Sequence, residues 1–388
     1  MLNPTYSTHF LNFFLNFSRQ MTGRLNQFWL DISHLLLTKR VEVRAWAARV
    51  HNSGHLSPFT FLRRSVKFKI LFCGVCHSDL HQIRNDWGSA LYPMVAGYIV
   101  GEVTEVGSEV KAFQVGEIVG VGCMVNPAKP AIHAHAIWNS IASRDWSGPK
   151  LIRTMMGLLP KVATPQQWFA DRRELVLKMP TNLPLDAAAP LLCAGITVYS
   201  PMKHYQIDVP DKHFGVVGLG GVGHMAVKFG KAFGMKVTVF SRSPSKEKEA
   251  WEVLGADNFI VSKDPEQMKA AASTIDYIID SVAAAHPLDP YFSTLKIDGR
   301  LVVVGIPDKP LSINALSLIN ARRDVGGSGI GGIKETQEML DFCGKHNITC
   351  MIEKIPMSYI NTAMERLSKS DVKHRFVIDI ASTLESKD

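Results

Sequence analysis

Six consecutive residues constrain this chain more than any others: Gly218-Leu219-Gly220-Gly221-Val222-Gly223. They have the spacing G-x-G-x-x-G, follow the apolar run Phe214–Val217 and open an amphipathic stretch, HMAVKFGKAF, that reads as a helix. The context gives the spacing its meaning, because strand, glycine turn and helix in this order form a unit that binds a dinucleotide. The first glycine allows the tight turn, the second lets the backbone approach a pyrophosphate, and the third lets helix and strand pack closely. The helix N-terminus then faces the phosphate charge.

Strand-like runs recur downstream at KVTVF, NFIVS, IDYIIDS and RLVVVGIP, separated by helix-like stretches such as SKEKEAWEVLG. Such alternation predicts a parallel, doubly wound α/β sheet with ligand contacts at its strand ends, where Ser281 and Gly305 fall. KVTVF ends at Phe240, where an NAD-binding domain places Asp or Glu against the ribose hydroxyls. The turn here reads Ser241-Arg242-Ser243-Pro244-Ser245-Lys246. Hydroxyls, two cations and no carboxylate suit a 2′-phosphate, so NADP(H) is favoured over NAD(H).

Upstream, VKFKILF alternates polar and apolar residues and VGEVTEV is rich in β-branched ones, which predicts a second, β-rich unit. Residues 124–173 show no clear period. The order returns at LVLKMP and NLPLDAAAPLLCAGITVYSPM, a helix-rich crossing into the glycine-loop domain. The tail, KETQEMLDFCGKHNI through MERLSKSDVKHRFVIDI, reads as two helices and a final strand. With 388 residues, 46% of them apolar, the chain can fill two domains. The first forty residues contain one acid, Asp31, and scattered Arg; this is the composition of a transit peptide, weighed against the plainer expectation of an unstructured extension.

The net charge of +8 invites a nucleic-acid reading until it is located. Residues 1–66 carry +6 and residues 124–173 carry +5, so the remainder is 8 − 11 = −3. No zinc finger, RNP or helix-turn-helix signature accompanies the basic segments, which argues against nucleic acid as a partner. No run approaches the roughly 20 apolar residues of a spanning helix, so no membrane is expected. Six cysteines are too sparse for a disulfide scaffold, and a reducing, cytoplasmic setting is the expectation.

Cys73-Gly74-Val75-Cys76-His77-Ser78-Asp79-Leu80-His81 gathers two thiols and two imidazoles within nine residues. Such a cluster can be a redox pair, half of a zinc knuckle, or the source of one ligand to a catalytic metal. No partner C-x-x-C exists for a knuckle, and the third option needs distant ligands, for which Cys193 in PLLCAGIT is a candidate.

The motifs AWAAR, SGHLSPF, CGVCHSDLH, YPMV, VGEVTEVG, VGVGCMV, LPLDAAAPLLCAGITVYSPMK, GLGGVGH, SPSK, LGAD, KETQEML and RFVIDI occur in order over roughly residues 44–123 and 174–382. In these the chain resembles the plant cinnamyl alcohol dehydrogenase family of zinc-dependent medium-chain dehydrogenases, which includes proteins called probable mannitol dehydrogenases. The resemblance implies a GroES-like β-rich catalytic domain at 44–193, a Rossmann cofactor domain at 194–332, a return to the catalytic domain at 333–388, and an extension at 1–43. It implies reversible oxidation of cinnamyl-type primary alcohols to aldehydes with NADP, and a homodimer. Cys76 and Cys193 would bind catalytic zinc, and Ser78 would take the alcohol proton and pass it towards His81. His77 would lie near the pyrophosphate. Gly218, Leu219, Gly220, Gly221, Val222 and Gly223 would contact the cofactor, as would Ser78, Ser241, Arg242, Ser243, Lys246, Ser281, Gly305, Ser328, Gly329 and Ile330.

Two departures stand out. The family reads P-G-H-E-I-V-G where this chain has Ala96-Gly97-Tyr98-Ile99-Val100-Gly101, so the His that is the third zinc ligand and the Glu beside it are missing. Residues 124–192 contain no cysteine, so the family's four-cysteine structural zinc site cannot form. The expected zinc chemistry is therefore incomplete, and an NADPH-binding relative without catalysis is the alternative. His133 and His135 lie in the atypical segment, and nothing in the sequence places them at the site.

Overall fold

The computed structural model describes residues 66–86, 97–122, 175–307 and 309–383, and the backbone of 167–170. The expected 1–43 extension lies outside the described residues, as does the atypical 124–173 segment apart from 167–170. Thirteen strands are present among the described residues. They are β1 Val66–Val75, β2 Tyr98–Val106, β3 Ile118–Val121, β4 Gln167–Ala170, β5 Leu177–Lys178, β6 His213–Val217 and β7 Lys236–Ser241. β8 Asn258–Val261, β9 Ile275–Asp280, β10 Leu295–Val303, β11 Asp324–Gly327, β12 Ile352–Pro356 and β13 Arg375–Asp379 follow.

The first sheet has the order β12-β13-β1-β2-β3-β5, with β4 also on β1. In β1, Val66, Phe68 and Ile70 are buried while Lys67 and Lys69 turn outward, the period of a strand with one face on a core. Register shifts between Lys67 and Phe68 and between Ile70 and Phe72 then bend the strand, so that Cys73–Val75 pair with β13 on one side. Antiparallel β13 sets Phe376 opposite Val75, which carries Arg375 to the end of β1 beside Cys76. β12 lies parallel to β13 between two helices, a strand that the sequence reading of the tail missed because IEKIP is short and half-buried. The stretch read as lacking a period likewise contains β4, whose four residues are too few to show alternation.

The second sheet is wholly parallel, in the order β11-β10-β9-β6-β7-β8. Numbered within this domain it is the 3-2-1-4-5-6 arrangement of a dinucleotide-binding sheet, and its strand order reverses between β6 and β9. The helix-like stretch after β7 forms a 3-10 turn, Pro244–Lys246, and a π-helical turn, Glu249–Val253, in place of a regular α-helix. The wide turn buries Ala250 completely while the Glu249 carboxylate bonds to His374.

The helix Ala194–His204 joins the two sheets. Its residues Ala194–Met202 are all buried, which explains an apolar run without a polar face. Tyr199 packs on Phe229, Phe233 and Phe342 at 5.6, 6.1 and 5.7 Å between ring centroids and gives its hydroxyl proton to Glu338 at 2.8 Å. One apolar cluster runs from Tyr98 and Val100 through this helix to Phe214 and Phe229. Among the described residues no single helix is long and apolar enough to cross a membrane; one helix pair of comparable length, Leu185–Leu192 with Ala194–His204, is bent by 51° and largely buried in the core. Phe214 is fully buried beneath Gly230 of the helix Gly223–Ala232. Phe214→Ala is expected to cost about 3–5 kcal/mol, read as a lowered midpoint of urea unfolding.

Candidate functional site

The glycine turn leaves β6 at the point where strand order reverses. Gly218 has φ +86°, and a Cβ there would stand 2.9 Å from Val282 Cγ2. At Gly223 a Cβ would come within 1.8 Å of the Gly218 carbonyl oxygen, so helix and strand can approach only as glycines. At Gly220, by contrast, a Cβ would meet nothing within 4 Å, leaving an open side for a ligand. Ser281, at the end of β9, crosses to the turn and donates its hydroxyl to the carbonyls of Val217 and Gly218 at 2.9 and 3.1 Å.

Side chains hold the loop's carbonyls away from the open side. Lys246 Nζ donates to Leu219 O at 2.6 Å, and Arg375 Nε donates to Gly221 O at 3.2 Å. In a trans peptide the N–H points opposite the C=O of the same plane. The N–H groups of Gly220 and Val222 are therefore turned away from those anchors, and among the described residues they have no backbone acceptor. Free N–H groups, flanking cations and a helix N-terminus fit a pyrophosphate.

At the end of β7, Ser241 Oγ accepts the N–H of Ser243 at 3.2 Å, and the hydroxyls of Ser243 and Ser245 are 2.8 Å apart. Arg242 is exposed, so the turn offers hydroxyls and a guanidinium to solvent while Lys246 reaches back to the loop. Gly305 follows β10, and its Cβ position is closed by the Val282 carbonyl at 2.3 Å. Ser328 follows β11 and donates its N–H to Val303 O, and Ile330 stands at φ +60°. The cofactor residues expected from sequence in this domain thus gather along the strand ends of one sheet. A pair that the sequence did not flag lies there too: the buried Asp280 carboxylate is 3.1 Å from His286 Nε2.

The other half of the site is built where β1 ends. Cys76 caps the helix His77–Arg84, and its N–H donates to Asp79 Oδ2 at 2.7 Å. Burial pushes the Asp79 carboxyl up to about 7. Cys193 caps the helix Ala194–His204, which sets its sulfur 3.8 Å from that of Cys76, 117 residues away in sequence. A hydrogen bond to Cys193, then burial, pushes the Cys76 thiol up to about 12. Ser78 Oγ is 3.5 Å from Cys76 Sγ. His81 Nδ1 is turned to Asp86, 2.8 Å away, and burial holds His77 below the ordinary imidazole range.

Zinc–sulfur bonds of about 2.3 Å at a tetrahedral angle set two sulfurs about 3.8 Å apart, so the thiols suit one ion. The rest of the donor set does not. Among the described residues no group of three or more His, Cys, Asp or Glu side chains could hold a metal. Tyr98 is buried with its hydroxyl on Val75 O at 3.4 Å. The buried Arg375 guanidinium acts on Cys76, Tyr98 and Cys193, placing a fixed cation beside the thiols. A catalytic zinc needs three protein ligands, and the described residues do not supply them. Arg375 was singled out by no sequence reasoning beyond its place in RFVIDI, although a cation inside an apolar strand was the signal available.

Comparison with known proteins agrees with this architecture. Residues 63–147 match the alcohol dehydrogenase GroES-like domain and residues 221–345 the zinc-binding dehydrogenase domain. A probable mannitol dehydrogenase of Medicago sativa is 56% identical over 351 residues, covering 88% of this chain and 96% of that one. A cinnamyl alcohol dehydrogenase structure from Sorghum bicolor superposes with a TM-score of 0.75 at 46% identity, over 86% of this chain and 97% of that one. The CAD of Helicobacter pylori complexed with NADP(H) gives 0.72 at 34% identity, over 84% and 93%. The fold is a GroES-like domain joined to a Rossmann domain. The chain belongs to the zinc-type medium-chain alcohol dehydrogenase family, among relatives named mannitol and cinnamyl alcohol dehydrogenases.

The Asp280–His286 pair has a pH signature. The Asp280 carboxylate 3.1 Å away raises His286 above its ordinary value of 6.5. The folded state therefore binds the proton more tightly, and the pair's contribution is complete below pH 6.5 and lost as pH rises through the raised value. The melting-temperature deficit of His286→Gln relative to the parent is expected to be larger at pH 5.5 than at pH 8.5.

Proposed function

We propose that this chain binds NADP(H) and acts as an oxidoreductase interconverting cinnamyl-type primary alcohols and their aldehydes. The observation that carries the coenzyme half is the glycine turn, open at Gly220 and backed by Lys246 and Arg375. Ser241, Arg242, Ser243 and Lys246 would hold the 2′-phosphate end, Ser281 and Gly305 would line the middle, and Ser328, Gly329 and Ile330 would lie towards the nicotinamide. NADP, when bound, supplies the hydride acceptor, and NADPH the donor in the reverse direction. Ser78 is assigned to the substrate end of a proton path and His81, paired with Asp86, to its outer end. Cys76 and Cys193 are assigned as thiol donors. His77 is assigned to the pyrophosphate side.

A second reading has its own support: an NADPH-binding relative without turnover. The two thiols face a buried guanidinium and a buried tyrosine where a third donor is required. Both readings include a homodimer, with the second copy on the β11 edge, where Ile297, Leu316, Ile319 and Val325 are exposed. A cytoplasmic setting belongs to both and suits five free thiols among the described residues.

One preparation separates them. Quenching of NADPH fluorescence, zinc per chain by elemental analysis, and coniferaldehyde reduction with and without added zinc are measured together. Turnover that is lost in Cys193→Ser supports the enzyme; NADPH binding without turnover supports the second reading; no NADPH binding removes both. Arg242→Ala is expected to weaken NADPH about five- to tenfold while leaving NADH unchanged, the size of one charge-assisted contact at an exposed site. Light scattering is expected to give twice the 43.0 kDa chain mass.

A further inference from the structure

Three successive carbonyls of the glycine loop are held from behind, and the middle one, which accepts the backbone N–H of His224 at 3.0 Å, is also met by two imidazoles tilted against each other. His224 is fully buried, with Nδ1 3.1 Å from Gly220 O, and its Nε2 accepts the N–H of Met351 at 3.2 Å. An accepting Nε2 leaves the proton on Nδ1, so that N–H donates to Gly220. His374 lies against this ring, with centroids 4.3 Å apart. Its Nδ1 is 3.3 Å from the same Gly220 oxygen, and its Nε2 is 2.8 Å from Glu249 Oε1. The two nitrogens of His374 therefore face two oxygens, and the ring joins the loop carbonyl to the Glu249 carboxylate.

The backbone is built around this contact. His374 stands at φ +68°, a conformation a residue with a β-carbon rarely adopts. Its carbonyl lies 2.7 Å from the place a Cβ on Gly221 would take, so only glycine admits the approach. Glu249 sits three residues beyond Lys246, in the π-helical turn that follows the basic turn. The contact thus ties the basic turn to the glycine turn through the residue that precedes β13, a strand of the other sheet.

We propose, resting on the coenzyme reading above, that His374 is a positioning residue for the dinucleotide loop: with Glu249 and His224 it holds the Gly220 carbonyl inward and so aims the Gly221 N–H at the coenzyme pyrophosphate. The peptide between Gly220 and Gly221 is planar, so fixing its carbonyl fixes the opposite N–H. A loop already in its binding geometry spares the ligand the cost of ordering it.

The test uses the full chain, with NADPH as probe and fluorescence quenching as readout, alongside melting temperature. His374→Phe keeps a ring and its volume but no donor, and is expected to weaken NADPH about tenfold, the size of one lost hydrogen bond in a partly charged network. His374→Gln returns an amide donor and is expected to recover most of that loss. Glu249→Gln, which touches only the clamp, is expected to weaken NADPH about threefold. A purely structural role would lower the melting temperature in all three without recovery in the Gln variant. Parent-like affinity in His374→Phe, equal losses in Phe and Gln, or unchanged affinity in Glu249→Gln would each overturn the clamp. Should His374→Phe fail to fold, the other two variants decide it. A parent protein that does not quench NADPH removes the coenzyme reading itself, and the clamp with it.

Discussion

The coenzyme half of the molecule depends on how closely one helix can approach one strand. At Gly223 the helix backbone comes so near the Gly218 carbonyl that a single methyl group would overlap it. That approach fixes where the turn between them runs, with Gly218 forced to positive φ and Ser281 crossing from β9 to seal it. Once the turn is fixed, its carbonyls fall within reach of Lys246, His224, His374 and Arg375. The outward direction of the loop's N–H groups follows from these anchors, because each lies opposite a held carbonyl.

The thiol half depends on the helix that starts at Cys193. A helix buried on every side leaves little freedom in its first turn, and its N-terminal cysteine meets the cap of the 77–84 helix at van der Waals distance. Arg375 links the two halves, since one buried guanidinium bonds to Gly221 O and faces the thiols. Beside a phosphate that charge is favourable. Beside two thiols it favours their ionised form, and it disfavours a second cation between them.

The retained and lost features divide along the same line. The glycine turn, the basic turn after β7 and the strand-end residues all follow the ends of strands in the parallel sheet. At the end of β1, Tyr98 lies across Gly74 and is held by burial in its neutral form, well above the usual phenol range. Its hydroxyl is directed to the main-chain carbonyl of Val75 at 3.4 Å. The membership of the family and the departure at this position are thus both visible in the same few ångströms.

The sequence by itself determined the parallel sheet and its glycine turn, because strand, turn and helix are adjacent in the chain and each glycine answers a local steric demand. It also determined the basic character of the 241–246 turn and the Tyr98 that stands where the family motif has a histidine, which are matters of composition. Tertiary structure alone decided what meets across long separations. Cys76 meets Cys193, Arg375 reaches Gly221, and His374 lies tilted against His224 and reaches Glu249. β12 and β4, too short to carry a period, became strands only because β13 and β1 offered them a partner. The physical reason is common to these cases: spacing encodes contacts within one element, whereas contacts between elements depend on the register in which sheets and helices pack.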